Sequence, residues 1–223
     1  RRGEATRETE SNMVNDREPT GESLRIGEYE YRVVGRLAET GRFRTSAGWT
    51  TGIYPTLVVV KEALSPEGES NLERTYRDRV GMLEGEVPGR EVFRHLLPAL
   101  VGRGVSERTG RYAEVYRYVS GFSETFETVR TAYPEGVDPR HAVWAWKRGL
   151  DLLAYVHSTG RAHSNLSPAH LLVHPRDHSV RFAGWSRVGK IGTNGFGDED
   201  ARPYDEGETR NESRDLRALA RSV

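Results

Sequence analysis

The order of strand-like and helix-like segments is the feature that most constrains the fold. Three segments rich in aromatic and β-branched residues, 29–37, 43–49 and 56–61, precede the long helical pattern. A fourth strand segment follows at 112–119, and only then does a long amphipathic pattern begin at 138–160. Strands gathered early and helices gathered late are typical of an α+β fold with two unequal layers.

Two helices are expected between the third and fourth strand segments. Ser70 and Glu73 have the spacing of a capping box, which predicts a helix over 70–84. The segment 91–101 predicts a second, shorter helix. Residues 1–27 are charged and polar with few apolar side chains, so we expect them to form a disordered tail.

Composition excludes several classes of function. Lysine plus arginine and aspartate plus glutamate both number 33, so the net charge is zero and no nucleic-acid partner is expected. The absence of cysteine excludes a thiolate nucleophile and a cysteine-ligated zinc. Apolar runs stay short of the roughly 18 residues of a membrane span, so no span and a cytoplasmic location are expected.

No metal site is expected among the histidines. Five of the seven fall between 157 and 178. Pro175 interrupts the spacing of His170, His174 and His178, so these side chains cannot share one helical face. Without a carboxylate or thiolate to complete a set, buried or exposed structural roles are favoured.

One segment carries most of the functional information. The residues HSNLSPAHLLV, from His163 to Val173, follow the long helical pattern directly. They resemble the catalytic loop of protein kinases, His-Arg-Asp-Leu-Lys-Pro-x-Asn-Leu-Leu-Val. Upstream, the run that ends at Lys61 resembles the kinase strand whose lysine holds nucleotide phosphates. Near the end, SRDLRALARS resembles the helix whose aspartate, here Asp215, braces the catalytic loop.

The resemblance covers residues 29–223 and is closest to bacterial kinase-like proteins with eroded loops. It implies a two-lobed protein-kinase-like fold. A small β-rich lobe is expected over residues 28–119, and a larger helical lobe over 120–223 that is truncated within its helices.

The resemblance also implies positions that would contact a nucleotide. Lys61 would hold phosphates, Gly41 lies in the segment that corresponds to the glycine-rich lid, and Leu172 would lie below the base. Tyr116, as gatekeeper, and Tyr118 belong to the segment that resembles the inter-lobe linker. The complete set is Lys61, Gly41, Glu73, Tyr116, Tyr118 and Leu172. Glu73 is either the helix carboxylate that pairs with Lys61 or only the capping-box residue.

Three departures from the kinase pattern change the functional expectation. Asn165 stands where the catalytic aspartate would be, and a neutral amide cannot act as a base. His170 and Gly184 stand where the two Mg²⁺ ligands would be; imidazole is a poor ligand for a hard cation and glycine has no side chain. The sequence therefore predicts a pseudokinase that binds ATP weakly or not at all, without Mg²⁺, and regulates an unknown protein partner.

Two alternatives remain open from the sequence. The chain could be an active Ser/Thr kinase whose metal ligands are displaced to acidic residues such as Asp198, Asp200 and Asp205. It could also be an adaptor whose nucleotide cleft is filled by Trp185 and Tyr116. Carboxylates found in the cleft would favour the first alternative, and a filled cleft would favour the second.

Overall fold

The structure is a computed structural model that describes residues 21–193 and 209–223. The chain divides into two compact units. The first contains the residues up to Arg74 together with Pro98–Ser120, and the second contains Thr75–Leu97 together with Gly121–Val223. The segment 75–97 thus groups with the second unit, whereas the sequence had assigned it to the first.

The first unit is built on a six-stranded antiparallel sheet that curls into a half-barrel. Its strands in chain order are β1 (Glu22–Ile26), β2 (Tyr29–Glu39), β3 (Phe43–Thr50), β4 (Leu57–Ala63), β5 (Leu100–Val105) and β6 (Tyr112–Arg117). Their spatial order is β1-β2-β3-β4-β6-β5. Alternate residues of four of these strands, β1, β2, β4 and β6, form its core: Leu24, Ile26, Tyr31, Val33, Val58, Val60, Ala113 and Val115.

The predicted disordered tail is wrong for its last residues. Residues 22–26 form β1, which pairs antiparallel with β2, and Leu24 and Ile26 are among the most buried side chains. Two apolar residues are too few to predict a strand, but pairing with β2 supplies partners for the backbone of β1. Residues 1–20 of the predicted tail lie outside the described part of the chain.

The two ends of the sheet approach each other. Gly27 donates its backbone amide to the carbonyl of Val105 at 3.0 Å, and Ile26 forms a bridge with Ser106. A Cβ on Gly104 would lie 2.6 Å from Cα of Gly27, so only glycine allows this approach. The contact covers backbone groups that an open sheet edge would leave exposed.

Helix α1 (Pro66–Glu84) runs from the first unit into the second and starts earlier than predicted. Ser65 caps it by accepting the amide of Gly68 at 3.1 Å, and Pro66 suits the first turn. Ser70 consequently lies inside the helix, so the predicted capping box with Glu73 does not form.

The predicted helix over 91–101 is also corrected. Only α2 (Arg90–Phe93) and a 3₁₀ turn at Arg94–Leu96 form, and β5 begins at Leu100. Pro98 cannot donate the hydrogen bond that a continuing helix needs, so the helical segment ends before it.

The second unit carries the remaining helices and two small sheets. The helices are α3 (Phe126–Ala132), α4 (Pro139–Ser158) and α5 (Glu212–Ser222). The strands are β7 (Glu124–Thr125), β8 (Arg161–Ala162), β9 (Leu171–His174), β10 (Ser179–Phe182) and β11 (Gly189–Lys190), in the orders β10-β9-β7 and β11-β8. Asp138 caps α4 by accepting the amide of Arg140 at 2.8 Å, which confirms the predicted start of this helix.

The α+β class predicted from the segment order is confirmed, with the antiparallel half-barrel first and the helices after it. Within 21–193 and 209–223, every helix is too short or too polar to cross a lipid bilayer.

Candidate functional site

The first candidate region, in the second unit, is the Asp215 loop, which we define as residues 163–170 together with Asp215. Asp215 is buried in the first turn of α5, where a carboxylate suits the positive end of the helix dipole. Its two oxygens accept the backbone amides of His163 and Ser164, each at 2.7 Å. Oδ2, the oxygen that accepts the amide of His163, also lies 3.0 Å from Nε2 of His157 on α4. The loop-bracing contact expected for Asp215 is therefore present.

Bracing by Asp215 holds an unusual backbone conformation. Ser164 has φ 59°, in the left-handed region that side chains other than glycine rarely adopt. The carboxylate of Asp215 accepts the backbone amides of His163 and of Ser164 itself, and these two hydrogen bonds help to hold Ser164 in this conformation.

His163 is a buried, neutral imidazole at the centre of this loop. Burial lowers its pKa to about 4. Nδ1 accepts the amide of Asn165 at 3.2 Å, and Nε2 donates to the carbonyl of Ala183 at 3.0 Å, so one neutral tautomer satisfies both nitrogens. Trp185 packs edge-on against the ring, with centroids 4.4 Å apart. His163 and Trp185 thus belong to the packing of the loop.

The structure brings the three departures from the kinase pattern together. Asn165 donates its side-chain amide to the carbonyl of Gly184 at 2.7 Å. His170 donates from Nδ1 to the carbonyl of Asn165 at 2.6 Å. Gly184 has φ 74°, and a Cβ there would lie 2.7 Å from the imidazole ring of His170. The ring therefore occupies the space that an acidic side chain at 184 would need.

This arrangement does not fit a Mg²⁺ site. Asn165 is used as a donor, His170 presents an imidazole and Gly184 presents no ligand atom. No group of three or more histidine or carboxylate side chains that could hold a metal occurs in residues 21–193 and 209–223. Asp198, Asp200 and Asp205, considered as displaced ligands, lie outside the described residues.

Leu172 lies in β9 of the second unit, near the Asp215 loop along the chain. It is half-buried and pairs with Arg181 of β10 on one side and Thr125 of β7 on the other. Leu172 thus lies in the central strand of the short antiparallel sheet β10-β9-β7.

The second candidate region, in the first unit, is the Lys61 face, which we define as Phe43, Lys61, Glu114 and Tyr116. Successive side chains of β4 alternate between the two sides of the sheet. Val60 and Glu62 are buried on the core side, so Lys61 projects from the opposite side. Its Nζ lies 4.2 Å from the centre of the Phe43 ring, within cation–π distance.

The turn between β2 and β3 corresponds to the glycine-rich lid of the resemblance, but the backbone amides of Arg42 and Phe43 within it are already occupied. Thr40 accepts the backbone amides of Arg42 at 3.3 Å and Phe43 at 3.1 Å through its hydroxyl. Glu39 adds a negative charge beside the turn and pairs with Arg44 at 2.8 Å. Gly41 is exposed at the tip, with open space beside its Cα. The turn is thus closed on itself and offers poor binding groups to a phosphate.

The other residues that the resemblance implied as nucleotide contacts, Tyr116, Tyr118 and Glu73, lie at different places in the structure. Tyr116 lies opposite Val59 of β4 and donates its hydroxyl to the carboxylate of Glu114. Tyr118 follows β6 and donates its amide to the carbonyl of Leu57 at 3.2 Å. Glu73 is exposed on α1.

Glu114 and Phe43 were missed by the sequence reasoning. Glu114 lies in the strand segment YAEVYRYV, and a carboxylate within an apolar strand is the signal that could have identified it. Phe43 lies at the start of a predicted strand, where an aromatic residue is ordinary. Only the register of the sheet shows that both lie beside Lys61.

A scan against protein-family models found no match for this chain, and a search of curated proteins found no similar sequence. Function is therefore inferred from the contacts described above and from the resemblance of the motifs.

Proposed function

We propose that this chain is a protein-kinase-like domain that has lost phosphotransfer, a pseudokinase that acts as a binding or regulatory module for a protein partner. In this proposal the half-barrel sheet of the first unit corresponds to the small lobe. The Asp215 loop and the helices of the second unit correspond to part of the large lobe.

The observation that carries the proposal is the hydrogen-bonded chain Gly184–Asn165–His170, together with the bracing of the same loop by Asp215. The aspartate brace supports the kinase-like identity, because a carboxylate from a later helix accepts two loop amides where the resemblance expects it. The loss of activity is supported by the donor role of Asn165 at the position of the catalytic base. Base and metal ligands act as a unit in phosphoryl transfer, so their joint loss removes the reaction.

The proposal includes weak nucleotide binding at most. Lys61 is the cation that would meet phosphates, but Thr40 already accepts two backbone amides of the β2–β3 turn, and His170 and Gly184 offer no suitable Mg²⁺ ligand. Any ATP that binds should therefore do so equally well with Mg²⁺ and with EDTA.

A phosphotransfer assay tests the loss of activity. Purified protein with Mg-ATP and generic acceptors should transfer no more phosphate than Lys61→Ala does. Lys147→Ala is a matched control because Lys147 is exposed on α4. Transfer at an ordinary kinase rate of about 1 s⁻¹ or more, lost in Lys61→Ala and kept in Lys147→Ala, would overturn the proposal.

A further inference from the structure

We propose that Glu114 is the built-in counter-ion of Lys61, and that this pair, with Phe43 over the ammonium, excludes anionic ligands such as nucleotide phosphates from the Lys61 face. The inference rests on the proposed function, since it explains how the nucleotide-facing lysine of a kinase-like sheet is withdrawn from use.

The first support is the register of β4 and β6. Lys61 and Glu114 are direct antiparallel partners, so their side chains leave the sheet on the same side. The Cβ atoms of such partners lie about 4.5–5.5 Å apart, and opposite charges at that spacing attract. A lysine side chain easily spans this distance to a carboxylate.

The second support is the burial of Glu114. Its side chain is fully buried, and a buried carboxylate is costly unless a cation accompanies it. The hydroxyl of Tyr116 donates one hydrogen bond to it but carries no charge. Across the sheet, Glu114 is flanked by Lys61 on β4 and Arg103 on β5. Lys61 is the direct partner of Glu114 in the register, is half-buried and is held by the Phe43 ring, which favours Lys61 as the counter-ion.

The third support is that the other carboxylates near Lys61 in the sequence have different surroundings. Glu62 lies on the core side with Ser106 and Arg108. Glu69 accepts the amide of Tyr112 at 2.9 Å.

Two further carboxylates complete this comparison. Glu39 pairs with Arg44 and Arg36 beside the β2–β3 turn. Glu73, the helix candidate from the sequence, is exposed. Glu114 is the carboxylate that the sheet register places directly against Lys61.

The small number of lysines provides the test of the pairing. The chain contains Lys61, Lys147 and Lys190 as its three lysines, and the last two are exposed. Reductive ¹³C-methylation keeps their charge and gives a resolvable NMR signal for each, and Lys61→Arg assigns the Lys61 signal by its loss. Glu114→Gln should move the Lys61 signal and leave the other two in place, whereas Glu73→Gln should move none. If the chemical shift of the Lys61 signal does not change in Glu114→Gln, or changes in Glu73→Gln instead, the pairing is overturned.

If Glu114→Gln folds too poorly for NMR, urea denaturation of Lys61 variants tests the pairing instead. Lys61→Met should leave Glu114 buried without its cation and lower the urea midpoint. Combining Lys61→Met with Glu114→Gln should raise the midpoint above that of Lys61→Met alone, since the unpaired charge is then gone. A double variant no more stable than Lys61→Met overturns the pairing.

Calorimetric titration with inorganic tripolyphosphate and with ATP, both in EDTA, separates this inference from the proposed function. Glu114→Gln should bind both ligands about tenfold or more tightly than the wild type, and adding Lys61→Met should abolish the gain. Unchanged affinity for both ligands overturns exclusion by Glu114. A gain for both ligands supports exclusion by Glu114, whereas the proposed function is overturned only if the wild type transfers phosphate in the assay above.

Discussion

Acid should destabilise this protein through His163, and the structure sets the size of the effect. Burial holds the pKa of His163 at about 4, below the ordinary value of 6.5, with Nδ1 and Nε2 both engaged in the neutral form. Between pH 6.5 and 4, the imidazole of His163 is therefore protonated in the unfolded chain but stays neutral in the folded protein. Stability falls with decreasing pH in this window, and the contribution of His163 is complete above pH 6.5.

The expected loss follows from the two pKa values. Relative to neutral pH, His163 alone should cost about 2 kcal/mol at pH 5 and about 3 kcal/mol at pH 4. Urea titrations of the wild type and His163→Gln at pH 7, 6, 5 and 4 measure it. Glutamine cannot take up the proton, so the wild type should lose that much more stability than the variant. His95→Gln, at an exposed position, should keep the wild-type slope. Parallel curves for wild type and His163→Gln would refute the reasoning.

Three further perturbations have expected outcomes. Gly184→Asp should destabilise by about 1–3 kcal/mol in thermal unfolding, because its Cβ meets the His170 ring and its φ is positive; adding His170→Asn should recover part of that loss. Arg108→Met should cost about 2–3 kcal/mol in urea unfolding, since it leaves Glu62 buried without its cation, and an effect below about 0.5 kcal/mol would contradict this. Ser65→Ala should lower stability by about 1 kcal/mol by removing the α1 cap, and unchanged urea midpoints would show that Ser65 does not cap it.

Local chemistry was enough to predict the long helix of the second unit and the strands β2, β3 and β4 of the sheet. Asp138 and Pro139 determine the start of α4, and Gly160, with φ 72°, follows its end. β2, β3 and β4 were predicted because runs such as Thr56–Lys61 have a strand-like composition that needs no partner to recognise. β1 was missed because Leu24 and Ile26 acquire their burial only by pairing with β2.

For the candidate site too, the sequence predicted the residues but not their contacts. Asn165 and His170 could be chosen from the resemblance of 163–173 to the kinase catalytic loop, and Gly184 from its distance beyond that segment in the same resemblance, since all three are found by comparison along the sequence. The contacts of these residues could not be predicted from the sequence. Whether the His170 ring lies against Gly184, and whether Asn165 acts as a donor, depends on the backbone torsions of the 163–170 loop and of the separate segment that contains Gly184.

By itself, the sequence determined most of the strands and helices, though not β1 or β5, and it determined which charged groups are missing from the loop that resembles a kinase catalytic loop. These properties depend on residues close together in the chain. Only the tertiary structure decided which groups face one another. Glu114 is 53 positions from Lys61 in the chain, yet the register of β4 and β6 makes them partners. A shift of one residue would turn Glu114 to the core side, and nothing local to either strand specifies that register.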